Sequence, residues 1–204
     1  MVERTIGAVL CDLDGVLRIW ADLAGVDAAY GLPSGTVGGA AFRAGRLLPA
    51  VTGQVTDEQW RAAVAGDLAG VCGSVARAGE VVAAWGRQAS WVDAEVLGLL
   101  AEVRRGVPVV LVSNGTTRLE ADLAALGLDA AFDAVVNTAR LGAAKPDERV
   151  YLAAAERAQV PFTACLFVDD SAGNTAAAEA LGMHGHHYRG ATGLRVALRG
   201  HGLI

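Results

Sequence analysis

The 204-residue chain has few cysteines, no excess of positive charge and no long hydrophobic run. Its three cysteines, Cys11, Cys72 and Cys165, are odd in number, far apart and without metal-ligand spacing, which favours reduced thiols over a disulfide framework. With 17 basic and 22 acidic residues, the formal net charge of -5 gives no basic surface of the kind that nucleic-acid binding needs. We therefore expect no nucleic-acid partner.

The apolar runs that do occur near the start of the chain are short. Residues 1–14 contain Glu3 and Arg4, followed by one apolar run that ends in acidic residues. That run is too short for the central region of a signal peptide or for a membrane span. We therefore expect a cytoplasmic location and no membrane partner. The sequence carries no signal for an oligomeric state.

The remaining composition is typical of a globular α/β protein. The chain is 53% hydrophobic and 19% charged, and it is long enough for one α/β domain with a small inserted module. Nearly continuous apolar runs predict buried strands, and helical patterns lie between them. The predicted strands cover residues 6–11, 107–112, 134–136, 164–168 and 183–188. This alternation predicts a parallel sheet with right-handed crossovers.

Local signals place the ends of the helices between these strands. Thr117 and Glu120 have the spacing of a capping box, and Gly127 supplies the stop of the same helix. Pro146 suits the first turn of a helix that continues to about Ala158. A further helix is predicted over residues 174–181.

Residues 16–90 break the alternation, because they show short amphipathic helices and no comparable apolar run. Thr56 and Gln59 predict a capping box for one of these helices. The Trp and Val residues of the segment are interpreted as its own small core: Trp60, Val64 and Leu68 on one helix, and Val81, Val82 and Trp85 on a second. The sequence therefore predicts a small α-helical module, residues 16–90, inserted into an α/β core of residues 1–15 and 91–204.

Polar residues follow the predicted strands directly. Two acids, Asp12 and Asp14, follow the first strand, and a second acidic pair, Asp169 and Asp170, follows the strand near residue 168. The carboxyl ends of parallel strands share one edge of the sheet, where ligands bind. Several carboxylates gathered there require a counter-charge, and a hard divalent cation with oxygen ligands supplies it. Mg²⁺ is the usual choice where phosphate also binds.

Anion-binding groups complete this set. Ser113 offers a hydroxyl, Asn114 and Gly115 offer backbone N–H groups near a helix start, and Lys145 adds a positive charge. A carboxylate nucleophile, a second acid two residues later, a metal site and a phosphate clamp together indicate phosphoryl transfer.

The same residues carry a resemblance to a known family. Residues 12–16 (DLDGV), 112–115 (VSNG), 145–147 (KPD) and 167–171 (FVDDS), with Asn174, occur in the order of the haloacid dehalogenase superfamily. The chain resembles the phosphatase branch of that superfamily, and residues 16–90 fall where the family has its C1 helical cap. The resemblance implies an α/β fold with a Rossmann-like parallel sheet, helices on both faces and a helical cap after the first strand.

The resemblance also implies roles for the site residues. Asp12 is the expected nucleophile, which forms an aspartyl-phosphate, and Asp14 is the expected general acid and base. Ser113 and Lys145, with Asn114, are expected to bind the phosphoryl group of a small phosphorylated metabolite. The expected Mg²⁺ ligands are Asp12, the backbone carbonyl of Asp14 and Asp170. Asp169 is expected to bind the ion directly or through water, and Asn174 to support these ligands from behind.

Two positions depart from the family pattern. Val16 stands where many relatives have Thr, and the Asp169–Asp170 pair replaces the commoner Gly–Asp, which leaves open which acid is the closer metal ligand. Sugar phosphates, phosphoglycolate-like acids and nucleotides all remain open as substrates. From the insert, Arg18, Trp20, Arg43 and Arg46 are candidates to face the substrate, although exposed or ion-paired side chains are the default interpretation.

Four other functions compete with a phosphatase. A 2-haloacid dehalogenase on the same core needs no second acid, so Asp14 speaks against it. A phosphomutase differs only in the group that accepts the phosphoryl. Outside enzymes, a receiver-like signalling module would carry its acid pair and its acceptor on different strands and have no insert, and a phospho-ligand-binding protein would keep the site without turnover. The cluster His184, His186 and His187 is interpreted as a last strand and its loop rather than a transition-metal site.

Overall fold

The computed structural model describes residues 6–21 and 25–204, and a parallel sheet of five strands lies at its centre. Residues 1–5 of the predicted core and 22–24 of the predicted insert lie outside the described residues. The strands are β1 (Ala8–Cys11), β2 (Arg18–Trp20), β3 (Ser90–Val92), β4 (Val109–Ser113), β5 (Ala134–Asn137), β6 (Cys165–Asp169) and β7 (His184–His187). The order in the sheet is β5-β4-β1-β6-β7, while β2 and β3 form a separate antiparallel ribbon.

Helices connect these strands and form the insert. The insert contains α1 (Gly25–Ala29), α2 (Thr36–Ala41), α3 (Ala44–Val51), α4 (Asp57–Cys72) and α5 (Val75–Gly86). The others are α6 (Ala94–Val103), α7 (Leu119–Ala125), α8 (Thr138–Leu141), α9 (Glu148–Ala158), α10 (Ala172–Ala180) and α11 (Ala191–Gly200), with a 3₁₀ turn at Phe162–Ala164. Within the described part of the chain, no helix combines the length and apolar character that crossing a membrane requires.

The sheet is buried on both faces, which explains why its strands read as continuous apolar runs. On one face Val9 and Val109 pack beneath α6, α7 and α11, and on the other Leu10 and Val110 pack beneath α9 and α10. The predicted α/β fold, with a Rossmann-like parallel sheet and helices on both faces, is confirmed.

The helices of the insert share a hydrophobic cluster of their own. Trp60 and Val64 of α4 pack with Val82 and Trp85 of α5, as the apolar pattern predicted. The capping box of α4 is also present, because the Thr56 hydroxyl accepts from the backbone N–H of Gln59 and the Gln59 side chain accepts from that of Thr56. The domain boundaries at residues 16 and 90 stay a prediction.

Two local predictions were wrong. The capping box of Thr117 and Glu120 does not form: α7 begins at Leu119 after an N-cap at Arg118 that makes no side-chain capping bond. The Thr117 hydroxyl instead accepts from the backbone N–H of Asp57 in the insert, at 3.0 Å. A tertiary contact has therefore replaced the local one.

The second error concerns the start of α9, which lies at Glu148 instead of Pro146. Asp147 is the N-cap and its side chain accepts from the backbone N–H of Arg149, so the aspartate, rather than the proline, sets the helix start.

The β2–β3 ribbon was not predicted at all. The three cysteines are free and buried, in agreement with reduced thiols.

Candidate active site

Three carboxylates meet at the carboxyl ends of β1 and β6. The parallel pairing aligns Cys11 with Val168, so the next residues, Asp12 and Asp169, follow neighbouring strands. One carboxylate oxygen each from Asp12, Asp169 and Asp170 lies within 4.8 Å of the others. Asp12 and Asp169 are buried and Asp170 is exposed. The expected acidic edge of the sheet is therefore present.

Lys145 is the cation that faces this cluster. Its ammonium Nζ lies 2.9 Å from Oδ1 of Asp12 and 2.7 Å from Oδ2 of Asp169, and it donates to the backbone carbonyl of Val112 at 2.9 Å. The side chain is almost fully buried. Three carboxylates against one ammonium leave a formal charge of -2 when all are ionised. The cluster therefore has a negative excess that Lys145 alone does not balance.

Burial and neighbouring charges shift the pKa values of Asp12, Lys145 and Asp170. Burial raises the pKa of Asp12 to about 7, since the opposing effect of Lys145 is partly offset by Asp169. Burial lowers the pKa of Lys145, but its two carboxylate partners together outweigh burial and raise it. Desolvation, followed by the charge of Asp169, raises the pKa of Asp170 although its side chain still reaches solvent. A further positive charge would reduce the electrostatic repulsion among these carboxylates.

The neighbouring acids Asp169 and Asp170 have different surroundings. Both oxygens of Asp169 are occupied: Oδ1 accepts from the backbone N–H of Ser171 at 2.8 Å and from Asn174 Nδ2 at 3.0 Å, and Oδ2 accepts from Lys145. The Asp170 carboxylate accepts no side-chain hydrogen bond in the described ranges 6–21 and 25–204 and lies beside Gly15. Asp169 is thus placed to hold Lys145, whereas the Asp170 carboxylate is not engaged by another side chain among the described residues.

Gly15 makes room for the Asp170 carboxylate. Its φ of +78° favours glycine, and a Cβ added there would clash with Oδ2 of Asp170. The residue between the first acids and the insert must therefore lack a side chain.

Ser113 and Asn114 continue β4 at the same edge. Ser113 is the last residue of β4 and is buried. The Asn114 side chain accepts from the backbone N–H of Lys145 at 2.8 Å and donates to the Lys145 carbonyl at 3.1 Å. Asn114 thereby fixes the main chain that carries the lysine.

Asp14 points away from this cluster toward the insert. Arg18 donates to both of its oxygens, with Nε 2.7 Å from Oδ1 and Nη2 2.8 Å from Oδ2, and Trp20 Nε1 donates to Oδ1 at 2.6 Å. Both partners belong to β2, the strand of the unpredicted ribbon. The Arg18 guanidinium also lies 4.6 Å from the centre of the Trp20 ring and donates to Asp122 at 3.2 Å. Asp14 is therefore held by two side chains that the sequence offered only as candidates.

A cavity of about 290 Å³ lies between the insert and the carboxyl edge of the sheet. Its lining includes Asp14, Asn114 and Gly115 on the sheet side and mainly apolar side chains on the insert side. The insert thus covers the space next to the strand-end residues.

The remaining candidates lie elsewhere. Arg43 and Arg46 both pair with Asp67 on the surface of the insert, at 2.6 Å each, and do not line the cavity. His184, His186 and His187 lie on edge strand β7, where His187 Nε2 is 2.9 Å from the backbone carbonyl of Asp170. Within residues 6–21 and 25–204, the group suited to a metal ion is the aspartate cluster and not the histidines.

The aspartate cluster fits a hard divalent cation such as Mg²⁺. Its donors are all carboxylate oxygens, they converge within 4.8 Å, and their negative excess is not matched by Lys145. Asp12 and Asp170 carry the available oxygens, because those of Asp169 are occupied.

Comparisons with known proteins identify a family for the chain. The family model for a haloacid dehalogenase-like hydrolase matches residues 6–182. "Phosphatase MT3486" of Mycobacterium tuberculosis is 38% identical over 85 residues, 41% of this chain and 39% of that protein. "Haloacid dehalogenase-like hydrolase domain-containing protein 3" of Mus musculus is 36% identical over 97 residues, 47% of this chain and 39% of that protein. The chain therefore spans about two fifths of the length of these curated relatives.

Solved structures share the fold. The HAD family enzyme bt-2542 of Bacteroides thetaiotaomicron, in complex with magnesium and inorganic phosphate, matches with a TM-score of 0.68 at 19% identity, over 90% of this chain and 94% of that one. The L-2-haloacid dehalogenase of Xanthobacter autotrophicus matches with a TM-score of 0.65 at 24% identity, over 88% of this chain and 76% of that one. At these identities the likeness concerns the fold alone.

Proposed function

The chain belongs to the haloacid dehalogenase-like hydrolases, and we propose that it is a Mg²⁺-dependent phosphatase of small phosphorylated metabolites. The observation that supports this most directly is the meeting of Asp12, Lys145 and Asp170 at one sheet edge, with Asp14 two residues beyond Asp12. The names of its relatives, a phosphatase and an enzyme solved with magnesium and phosphate, agree with the proposal.

Asp12 is the proposed nucleophile. Its Oδ1 accepts from the backbone N–H of Leu13 at 2.7 Å and faces Lys145, whereas Oδ2 accepts no hydrogen bond from the part of the chain that the structure describes. Oδ2 is therefore the oxygen free to attack. A bond forms between Asp12 and phosphorus as the bond from phosphorus to the alcohol oxygen breaks.

Asp14 is the proposed acid and base. It gives a proton to the departing alcohol oxygen, then accepts one from the water that attacks phosphorus and releases Asp12. Both oxygens of Asp14 are engaged by Arg18 and Trp20, so one of those hydrogen bonds must give way when Asp14 reaches the ester.

The remaining site residues bind the cation, bind the phosphoryl group or orient Lys145. Asp12, Asp170 and the backbone carbonyl of Asp14 are the proposed Mg²⁺ ligands, and the bound cation supplies the positive charge that lets a carboxylate approach a phosphate dianion. Lys145 and Ser113 bind phosphoryl oxygens, and because the ammonium of Lys145 already faces Asp12, Asp169 and the Val112 carbonyl, one of those contacts must give way. Asp169, supported by Asn174, orients Lys145, and Asn114 fixes the lysine main chain.

The insert is the proposed cap. Side chains of α3, α4 and α5 line the cavity beside Asp14, and a covered cavity excludes water from the reaction. The ribbon of β2 and β3 connects this cap to the core.

The test is release of inorganic phosphate from p-nitrophenyl phosphate, measured with Mg²⁺ and with EDTA. We expect activity only with Mg²⁺, a loss of at least about 1,000-fold in Asp12→Asn, and a loss of about 100-fold or more in Asp14→Asn. Asp147→Asn, which changes the partly exposed N-cap aspartate of α9 to another good capping residue, is the control and should retain activity.

Four outcomes would contradict the proposal. Unchanged hydrolysis in Asp12→Asn would exclude that residue as nucleophile. Release of chloride from 2-chloropropionate without phosphatase activity would indicate a dehalogenase. A requirement for a sugar bisphosphate activator would indicate a phosphomutase, and phosphate binding without turnover would leave a binding protein.

A further inference from the structure

The cavity beside Asp14 has an aromatic and aliphatic wall. Its apolar lining residues come from the ribbon, from the residue after α2, from α3, α4 and α5, and from the start of α7: Trp20, Phe42, Leu47, Val51, Trp60, Trp85 and Leu119. Trp85 makes edge-to-face contacts with Phe42 and with Trp60, each with ring centres 5.7 Å apart. Such walls favour a ligand that is itself apolar and planar.

The charged residues of the lining are already paired with one another. Arg18 is bound to Asp14 and Asp122, and Arg61 is bound to Asp57 at 2.6 Å. Among the described lining residues, two arginines therefore face three aspartates, and the cavity has no positive excess. Among the described lining residues, a leaving group that carries a carboxylate or a second phosphate would find no arginine that is not already paired with an aspartate.

The polar groups of the lining are mostly occupied as well. Asp57 also accepts from the Thr116 hydroxyl at 2.9 Å, and the side chain of Asn114 is bound to Lys145. A polyol such as a sugar would have to bury several hydroxyls with few free partners, at a cost in binding.

The tryptophan N–H groups of the lining differ in whether they have a hydrogen-bond partner. Trp20 donates to Asp14, and Trp60 donates to the Ala41 carbonyl at 3.2 Å. The buried N–H of Trp85 has no hydrogen-bond partner within residues 6–21 and 25–204. That N–H is itself enclosed, so Trp85 contributes mainly apolar ring surface to the wall.

We propose that the preferred substrate is a phosphate monoester of an uncharged, predominantly apolar alcohol with an aromatic ring, and that this cavity binds the ring. The proposal rests on the phosphatase function, because the cavity adjoins Asp14 at the position of the departing alcohol. A volume of about 290 Å³ lies near the lower end for ligand pockets, so the alcohol is small.

The test compares three primary alkyl phosphates, which share the same leaving-group chemistry: 2-phenylethyl phosphate, glycerol 3-phosphate and glucose 6-phosphate. With the full chain and Mg²⁺, kcat/KM for 2-phenylethyl phosphate should exceed that of the other two by about 100-fold, since only its ring removes apolar surface from water. Equal values, or a preference for either polyol ester, would overturn the proposal.

A matched pair of variants assigns the effect to this cavity. Phe42 and Leu48 are both about half exposed in the insert, at 51% and 53%, but only Phe42 lines the cavity. Phe42→Ala should lower the preference for the phenyl ester about fivefold, whereas Leu48→Ala should leave every rate unchanged. A preference that survives Phe42→Ala intact would show that the ring binds elsewhere and would overturn the assignment.

A binding measurement separates this proposal from the phosphatase function. If none of the esters is hydrolysed, the proposed function fails, and 2-phenylethanol is titrated while tryptophan fluorescence is recorded. Saturable quenching that weakens in Phe42→Ala, with no response to glycerol, would still support an apolar ring site. The same response to both alcohols, or none to either, would overturn it.

Discussion

The two sides of Asp14 hold carboxylates and cations in different proportions. Beneath it, at the sheet edge, three aspartates converge on Lys145 and the negative charge is in excess. Above it, beneath the insert, Arg18 and Arg61 neutralise most of the carboxylate charge and apolar rings form the wall. Uncompensated negative charge at a buried site calls for a cation. A cavity with mostly paired charges and apolar walls instead selects its ligand by shape and by apolar surface.

The largest expected effect is a difference in stability between loss of the Lys145 ion pairs and loss of the Arg61 ion pair. Lys145→Met leaves Asp12 and Asp169 buried without their cation, so the free energy of unfolding should fall by about 3–5 kcal/mol. Arg61→Met should cost less, because Asp57 still accepts from Thr116. Urea denaturation without metal measures both changes. Equal losses would mean that the two regions do not differ as described.

A smaller effect should divide the acids by their access to a metal. Asp170→Asn should weaken Mg²⁺ binding by at least about 100-fold, with little change in metal-free stability, because its carboxylate is exposed and without a side-chain hydrogen bond in the described chain. Asp169→Asn should lower the metal-free melting temperature, since it disturbs Lys145 and Asn174. Asp122→Asn, in the balanced region, should leave Mg²⁺ affinity unchanged in isothermal titration calorimetry. Weaker binding in Asp122→Asn than in Asp170→Asn would reverse the assignment.

The smallest effect concerns pH. The pKa of Asp12 is raised to about 7 by burial, so the metal-free folded state holds this proton more tightly than the unfolded state. Its contribution to stability is therefore favourable below the usual carboxyl range and is lost as pH rises toward 7. Mg²⁺ competes with the same proton, so the rise in melting temperature on adding Mg²⁺ should be larger at pH 8 than at pH 6. In Asp12→Asn that pH difference should shrink; a difference of the same size would point to another group.

The sheet and the strand-end residues were accessible from the sequence because both follow from local patterns. A strand buried on both faces must be apolar throughout, and a polar residue at its end is conspicuous, which is why Asp12, Ser113 and Asp169 could be placed at one edge. The different roles proposed for Asp169 and Asp170 could not be predicted from such local patterns. It depends on Lys145 and Asn174, which approach from separate parts of the chain.

The contacts of the insert were harder to predict for the same reason. Residues 18–20 are too short to show a period, and their strand is specified by pairing with Ser90–Val92, about 70 residues later. Thr117 has the spacing of a helix cap, but Asp57 from the insert takes its hydroxyl. In both cases a distant partner outweighs the local signal. The side chains that define the cavity were visible in the sequence, but only as packing residues.

The ribbon has a mechanical consequence. Its first strand supplies both side chains that grip Asp14, its second leads directly into α6, and the insert lies between the two strands along the chain. Any displacement of the insert that tilts this ribbon carries the guanidinium and the indole with it. In the proposed mechanism, a tilt of the ribbon would therefore open the cavity and loosen the hydrogen bonds to Asp14 together, so one movement would control both entry of the ester and protonation of its alcohol.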